Sequence, residues 1–416
     1  LKHFSSGASA REASQEKSSM EVASVAAAGE HTLLAAGSGD VITVGACGAG
    51  WRYDVPYSDE TVRTTAARCR TLAPGFGPGQ PRRLAAGSFH NLAVVAGKLF
   101  SWGCDSIDEN DGQLGLSTRN EVSVPTPVPL PEPVVDAAAG AHHSLALTES
   151  GRVLSAGAGL LGQLGRRHDF SSVVPSPCAP DDRLHTHTAF LPVRVPLREG
   201  ERVRQVGCGY YHSLCVTSLG RLFAFGSNSH GQCGSTGTTS APSSSAARPT
   251  DGDEGYLASP ELVRDLEGQH VVQAVGGYSH IVALTSGGDV WTCGGNSNGQ
   301  RGLPDSDDLP RCSRVQIGGP ATAVAAGYSH SAALRKDGSV MTFGENDAGQ
   351  LGVLGGDQDV PALVPLPGKS IGIAAGNSHT VSLQADGSVF TWGSGRNGQQ
   401  GGCSTEDVWA PKLLKA

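Results

Sequence analysis

The sequence predicts an all-β fold in which seven four-stranded antiparallel blades form a ring, that is, a seven-bladed β-propeller. Three observations support this prediction: a motif that recurs seven times, glycines at fixed places in that motif, and the composition. Of 416 residues, 58 are glycine, while charged residues make up 17% and aromatic residues 5%. This composition is typical of short strands joined by tight turns and argues against long helices.

The recurring motif is clearest in the segment that begins Val324-Ala-Ala-Gly-Tyr-Ser-His330 and ends with Gly349-Gln-Leu-Gly352. Successive histidines of the motif are 49 to 69 residues apart. A unit of about fifty residues holds four short strands, and self-similarity at such a period indicates a radial array of blades. Including His330, the motif histidines are His31, His90, His143, His212, His280, His330 and His379.

Each part of the motif has a physical role in such a blade. The small apolar residues before Gly327 suit an innermost strand crowded around the axis, and the glycine lets the chain bend without a Cβ clash. The histidine begins a second strand, and we expect it to be structural and bonded to nearby backbone. Asp337-Gly338 has the sequence of a tight hairpin turn, and the third strand ends at Phe343-Gly344. A proline-containing stretch then supplies the outer strand.

The domain organisation follows from where the motif begins and where it is interrupted. Residues 1–20 are predicted to be a flexible N-terminal tail or the remnant of an organelle presequence. Residues 21–416 form the propeller, with insertions at 52–80, 166–200 and 235–269. The chain begins on an inner-strand pattern and ends on an outer-strand pattern. We therefore predict that both termini share one blade and that the C-terminal strand closes the ring.

Charge and hydropathy exclude several classes of function. The formal net charge is −8, so no global positive field favours direct DNA binding. No apolar run reaches the ~18 residues of a membrane-spanning helix, so no membrane insertion is expected. The ten cysteines form no Cys-x-x-Cys pair and are predicted to be reduced, mostly as small core residues.

Candidate chemistry is weak in this sequence. The seven motif histidines fall on different blades, whereas a metal site needs three or four ligands around one point, so no metal is expected. Gly157–Gly162 matches a dinucleotide fingerprint, but the residues that follow continue the repeat instead of a helix. We nominate no catalytic residue and no cofactor, and we predict that the protein is not an enzyme that performs covalent catalysis.

The motif resembles the regulator-of-chromosome-condensation repeat, and the resemblance covers residues 22–415. In chromatin-bound members of that family the propeller is an exchange factor for a nuclear small GTPase, and a loop after the third strand of an early repeat wedges against it. Residues 104–112, which follow Phe100-Ser-Trp-Gly103, resemble that loop. The resemblance makes five of its residues candidates for partner binding: Asp105, Asp108, Glu109, Asn110 and Asp111.

The sequence also departs from that branch of the family. Ser88 and Ala141-His142 stand where such exchange factors show aspartate, and Glu30 is the one acidic residue in the seven Gly-x-x-His loops. The strongly basic N-terminal tail that would bind chromatin is missing. The five tryptophans are too few for the dense cluster of the ultraviolet-photoreceptor branch.

Two hypotheses follow for the function. The first is a non-enzymatic protein-interaction scaffold, a subunit or accessory factor of a larger assembly for which a mitochondrial location is a natural home. The second is an exchange factor for a small GTPase that uses residues 104–112 as a wedge. A mitochondrial or cytoplasmic location is favoured over a nuclear one.

Overall fold

The protein forms seven four-stranded antiparallel sheets, so the predicted all-β propeller is confirmed. The computed structural model describes residues 22–37, 40–45, 71–73, 81–103, 111–118, 120, 122–166, 186–234, 255–304, 309–401 and 405–414. Within these residues one short 3-10 helix, Arg264–Leu266, is present besides the strands. In every sheet the four strands are neighbours in chain order, so each blade is a simple meander.

Blades 1 to 4 contain the first sixteen strands. Blade 1 comprises β1 (Val22–Ala28), β2 (His31–Ala36), β3 (Val41–Gly45) and β4 (Thr71–Ala73). Blade 2 comprises β5 (Pro81–Ala86), β6 (His90–Val95), β7 (Lys98–Gly103) and β8 (Val122–Pro127). Blade 3 comprises β9 (Val134–Ala139), β10 (His143–Thr148), β11 (Val153–Ala158) and β12 (Thr186–Val193). Blade 4 comprises β13 (Val203–Cys208), β14 (His212–Thr217), β15 (Leu222–Ser227) and β16 (Tyr256–Leu262).

Blades 5 to 7 contain the remaining twelve strands. Blade 5 comprises β17 (Val271–Gly276), β18 (His280–Thr285), β19 (Val290–Gly294) and β20 (Leu309–Val315). Blade 6 comprises β21 (Ala321–Ala326), β22 (His330–Arg335), β23 (Val340–Gly344) and β24 (Gln358–Leu363). Blade 7 comprises β25 (Ser370–Ala375), β26 (His379–Gln384), β27 (Val389–Gly393) and β28 (Val408–Leu413).

The segments predicted as insertions contribute the outer strands of three blades. β4, β12 and β16 lie inside residues 52–80, 166–200 and 235–269 respectively. Most of the remainder of these three segments, like the N-terminal tail 1–20, lies outside the described residues.

The motif histidines link each blade to the next one along the chain. Each begins the second strand of its blade and is fully buried. His90 Nε2 lies 2.7 Å from Ser144 Oγ, and that hydroxyl donates to the Gln113 carbonyl at 2.7 Å. Because its single hydrogen is used there, the hydroxyl accepts from the His90 Nε2–H group. The histidine and the Gly-Gln-Leu-Gly loop of one blade therefore converge on one side chain of the next blade.

This interblade bond recurs at six of the seven boundaries, and we call the set the histidine relay. The backbone partners expected for these histidines are not the partners of Nε2, which bonds a side chain of the next blade because that blade places a polar residue directly after its own histidine. The pairs are His31–Asn91, His90–Ser144, His143–Ser213, His280–Ser331, His330–Thr380 and His379–Thr32, at 2.6 to 2.9 Å.

The boundary between blades 4 and 5 lacks this bond. Ile281 occupies the position that carries the polar residue in the other blades, and it is fully buried in the core. Among the described residues, neither ring nitrogen of His212 has a hydrogen-bond partner. The ring therefore has six relay bonds at its seven boundaries, and blades 4 and 5 are joined instead by other contacts, such as the Tyr210 amide to the Gly277 carbonyl at 2.9 Å.

Removal of a relay hydroxyl is expected to destabilise the protein. Ser331→Ala deletes the partner of His280 and leaves the Gln300 carbonyl without its donor at 2.8 Å. Leaving buried polar groups unsatisfied costs about 1–3 kcal/mol, so we expect a loss of about 2 kcal/mol in the free energy of unfolding. Urea unfolding measures this loss. Ser123→Ala, on the exposed face of β8, is the matched control, and an equal effect of the two substitutions would refute the role of the relay.

The prediction that both termini share one blade is wrong. β28 pairs with β27 in blade 7, whereas β1 lies in a separate sheet with β2, β3 and β4. A chain that begins on an inner strand and ends on an outer strand contains whole blades, so no strand has to be shared.

The ring is closed by contacts between blade 7, which carries the C-terminal strand, and blade 1. His379 Nε2 lies 2.9 Å from Thr32 Oγ1, and the Asn377 amide donates to the Gly29 carbonyl at 2.9 Å. A single apolar cluster spans this boundary, and Leu414 extends it directly after the last strand. The other buried members of the cluster are Val22, Leu34, Ile42, Val44, Val381, Leu383 and Val389.

Candidate protein-interaction face

The segments between the first and second strands of all blades lie at one end of the ring, which we call the loop face. Each segment follows the inner strand and precedes the motif histidine. Backbone hydrogen bonds join neighbouring segments: the Tyr278 amide donates to the Tyr328 carbonyl, the Tyr328 amide to Asn377, and the Asn377 amide to Gly29. These bonds, 2.9 to 3.0 Å long, hold the loop face in one conformation.

Six aromatic side chains form a continuous series across the loop face from blade 2 to blade 6, and we call this series the aromatic arc. Its members are Phe89, His142, Tyr210, Tyr211, Tyr278 and Tyr328, and all are partly exposed.

Edge and stacked contacts connect the rings of the arc. The Phe89 and His142 centroids are 5.0 Å apart, and His142 is stacked at 6.4 Å on Tyr211. Tyr210 lies edge-on to Tyr278 at 5.2 Å, and Tyr278 is stacked on Tyr328 at 4.3 Å. Burial and the neighbouring tyrosines raise the pKa of Tyr328 above its usual range, so its hydroxyl stays neutral.

A channel of about 690 Å³ runs beneath the arc, and its walls are formed by the small residues of the inner strands. Toward the opposite end of the ring, side-chain amides join neighbouring inner strands. Gln205 donates to the Ala274 carbonyl at 3.1 Å and accepts from its amide at 3.0 Å, and Gln273 bonds both backbone groups of Val324 in the same way. Side-chain amides therefore help to hold together the inner strands that surround the channel.

Carboxyl groups adjoin the arc on blade 6. The Glu345 amide donates to the Ser329 carbonyl at 2.9 Å, which places Glu345 beside the segment that carries Tyr328. Burial raises the pKa of Glu345, and the neighbouring Asp347 and Asp357 raise it further. Three carboxyl groups therefore lie close together at this end of the arc.

One of the five candidate partner-binding residues lies among the described residues, and it contacts the arc. Asp111 Oδ2 is 3.2 Å from His142 Nδ1. Gly112 has a φ of +90° and packs against the backbone of His187, so a Cβ there would lie 2.7 Å from the His187 carbonyl oxygen. The other four candidates, Asp105, Asp108, Glu109 and Asn110, lie outside the described residues.

Sequence reasoning missed the aromatic arc. It treated Ser88 and His142 as losses of acidic residues, whereas His142 belongs to a different surface that is built from rings. A signal was present, because Tyr210, Tyr278 and Tyr328 each follow the motif glycine in three consecutive repeats.

Within the described residues no group of three or more His, Cys, Asp and Glu side chains is arranged to hold a metal ion. Cys208, Cys215, Cys233, Cys293 and Cys312 are free thiols. The described part of the chain contains no helix that is long and apolar enough to cross a membrane.

Comparison with protein families identifies the repeat directly. The RCC1-like domain matches residues 5–308. The regulator of chromosome condensation (RCC1) repeat matches residues 287–334, 337–383 and 386–416. Together these matches cover nearly the whole chain.

Two proteins of Arabidopsis thaliana are similar to this chain in sequence. The chain is 29% identical over 296 residues to the "RCC1 domain-containing protein RUG3, mitochondrial" of Arabidopsis thaliana, a match that covers 68% of this chain and 56% of that protein. It is 31% identical over 240 residues to the ultraviolet-B receptor UVR8 of the same plant, covering 57% of this chain and 46% of the receptor. The chain thus spans about half the length of these relatives.

Solved structures share the whole architecture. Human WBSCR16 has a TM-score of 0.68 at 24% identity, with 83% of this chain and 84% of that chain covered. Yeast RCC1 (Prp20), in its complex with Kap60, has a TM-score of 0.67 at 20% identity, with 100% and 91% covered. At these identities the likeness establishes the fold, and together with the matched repeats it shows that the chain belongs to the regulator of chromosome condensation (RCC1) repeat family.

Proposed function

We propose that the protein is a non-enzymatic interaction scaffold that binds a protein partner through its loop face. The aromatic arc is the observation that carries this proposal. Aromatic residues are enriched at the centres of protein interfaces, where they supply large contact areas and few rotatable bonds. Here six of them are held partly exposed on one rigid surface. Backbone hydrogen bonds between neighbouring segments of the loop face hold the backbone beneath these rings, so little conformational entropy is lost on binding.

The relatives support a role in protein assembly. One structural neighbour is described in complex with Kap60, and a structure of Prp20p from Saccharomyces cerevisiae is described together with its binding to Gsp1p and histones. RUG3 is named as a mitochondrial protein, which supports a mitochondrial assembly as the setting for this chain.

The scaffold proposal is tested by affinity purification from cells, followed by mass spectrometry. A loop-face variant, Phe89→Ala with Tyr211→Ala, removes one ring from the blade 2 end of the arc and one from its middle. We expect the variant to recover about tenfold less of the partner than the unmodified chain does, because truncation of a hot-spot residue costs about 2 kcal/mol of binding free energy.

A matched control separates a specific loss from misfolding. Leu219→Ala removes an exposed apolar side chain, 51% accessible, from the turn between β14 and β15 at the opposite end of the ring. We expect this variant to retain the partner. If both variants lose it equally, or if neither does, the loop face is not the binding surface.

The second candidate function is nucleotide exchange on a small GTPase. The observation that favours it is the approach of Asp111 to His142, which places the end of residues 104–112 beside the arc. Such an exchange factor needs only a higher affinity for the nucleotide-free state.

Release of a fluorescent guanine nucleotide from candidate GTPases tests this second function. Acceleration that disappears when residues 104–112 are replaced by Gly-Ser repeats would support an exchange factor with a wedge. If the unmodified chain accelerates nucleotide release from none of the GTPases and co-purifies stably in a large complex, the scaffold function is supported.

A further inference from the structure

The chemistry of the loop face specifies what kind of group the partner presents. At the blade 6 end of the arc, the rings of Tyr278 and Tyr328 are stacked. The segment that carries Tyr328 accepts a backbone hydrogen bond from the Glu345 amide. Aromatic faces carry partial negative charge and attract cations, most strongly guanidinium groups that stack on the ring. A carboxylate next to an aromatic face adds a charged acceptor for the same group.

The local charges leave this end of the arc negative. The Glu345 carboxyl accepts a hydrogen bond from Gln350 Nε2 at 3.1 Å, and Asp347 and Asp357 are close enough to raise its pKa. Asp347 and Asp357 are both exposed. On blade 1, which lies beyond blade 7, Glu30 Oε2 accepts from Gln399 Nε2 at 2.9 Å.

Three arginines at this end of the ring are either buried or bonded to other groups. Arg301 on blade 5 is fully buried. Arg166 on blade 3 donates to the backbone carbonyls of Ser155 and Leu191. Arg396 on blade 7 lies 3.5 Å from Asp407. The face therefore joins an aromatic surface to carboxylates that these described cations do not neutralise.

We propose that the loop face binds an arginine-bearing segment of its protein partner, with a guanidinium group stacked on Tyr328 and paired with Glu345. This inference rests on the proposed scaffold function and names the chemistry of the partner at that surface. Of the seven loops that precede the motif histidines, only the first carries an acidic residue, Glu30. Selectivity for the cation comes from the tyrosine faces, and Glu345 directly follows the third strand, beside the segment that carries Tyr328.

The probe is a fluorescein-labelled Gly-Ser peptide that carries three arginines, and its control is the same peptide with citrulline, a neutral isostere of arginine. Fluorescence anisotropy with the full chain, at about 150 mM salt, measures both dissociation constants. We expect the arginine peptide to bind about tenfold more tightly than the citrulline peptide. Equal affinities would overturn the proposal.

Substitutions locate the binding site. Tyr328→Leu removes the ring but keeps an apolar side chain, and we expect it to weaken arginine-peptide binding about fivefold, whereas Tyr328→Phe keeps the affinity within about twofold. Glu345→Gln is expected to weaken binding about fivefold. Glu149→Gln makes the same charge change at an exposed site on the opposite end of the ring, and we expect it to leave binding unchanged.

The outcomes separate this inference from the scaffold proposal. Equal weakening by Glu345→Gln and Glu149→Gln would show attraction to net negative charge alone and would overturn the inference. If the cellular partner is lost from the Phe89 and Tyr211 variant but kept by Tyr328→Leu and Glu345→Gln, the scaffold function holds and the arginine site is refuted. Glu345→Gln keeps the test decisive even if Tyr328→Leu fails to fold.

Discussion

The protein is expected to unfold cooperatively as the pH falls to between about 5.5 and 4.5, because seven neutral histidines are buried in the ring. Burial lowers the pKa of His31, His212 and His330 to about 4. It lowers the pKa of His90, His143, His280 and His379 to about 3, and neighbouring histidines lower these four further. The unfolded value is 6.5 for each of them.

The size of the effect follows from the number of protons. Between pH 6.5 and 4 the unfolded chain binds a proton on each histidine while the folded chain does not, so stability is complete above pH 6.5 and falls below it. Each histidine contributes about 1.4 kcal/mol per pH unit, and seven contribute roughly 10 kcal/mol per unit. A typical domain has only about 5–15 kcal/mol in total. One to two pH units below 6.5 are therefore enough to unfold the ring.

Urea unfolding at a series of pH values measures this dependence. His212→Gln removes one titrating group without breaking a relay bond, and we expect it to reduce the slope of stability against pH by one proton. Burial opposes ionisation of Glu201, but hydrogen bonds from Arg221 outweigh it and lower the pKa of this carboxyl to about 2. The contribution of Glu201 to the stability of the protein is therefore lost only below pH 4.5, its pKa in the unfolded chain. Stability that stays constant between pH 7 and pH 5 would contradict the role of the histidines.

Replacement of the motif glycine is expected to have the second large effect. A Cβ at Gly327 would lie 2.1 Å from His330 Cε1 and 2.5 Å from the Gly376 carbonyl oxygen of the next blade. Since His330 is fixed by its relay bond and Gly376 is backbone, neither neighbour can move away cheaply. Gly327→Ala is expected to lower the free energy of unfolding by about 3 kcal/mol or more.

Gly356→Ala is the matched control, because nothing lies within 4 Å of a Cβ at that position and its φ is outside the left-handed region. We expect this substitution to change stability by less than about 0.5 kcal/mol. Urea unfolding of the two variants side by side makes the comparison. A similar small effect at both positions would show that the inner ring tolerates side chains at the bend.

The repeat made the fold predictable, whereas contacts between repeats were harder to predict. Periodicity places the strands and the histidine within one blade, because those features are local in sequence. The partner of His143 is Ser213, 70 residues away, so no local pattern reveals it. Comparing repeats would have shown a polar residue after each histidine except at Ile281.

The candidate site was predicted only in part for the same reason. Residues 104–112 were found because a resemblance supplied their role, and Asp111 does contact the loop face. The aromatic arc assembles from five blades, with Phe89 and Tyr328 at its two ends. Its members become neighbours only when the ring closes, since the axis brings together residues that the sequence separates by one or more repeats.

The single missing relay bond has a consequence for the topology of the ring. Between blades 7 and 1 the polypeptide has no covalent continuity, and there the His379–Thr32 bond is present. Between blades 4 and 5 that bond is absent, but the chain passes directly from one blade to the other. The boundary without chain continuity and the boundary without a relay bond lie on opposite sides of the ring. Every boundary is therefore secured by the chain, by the relay, or by both, and none depends on apolar contacts alone.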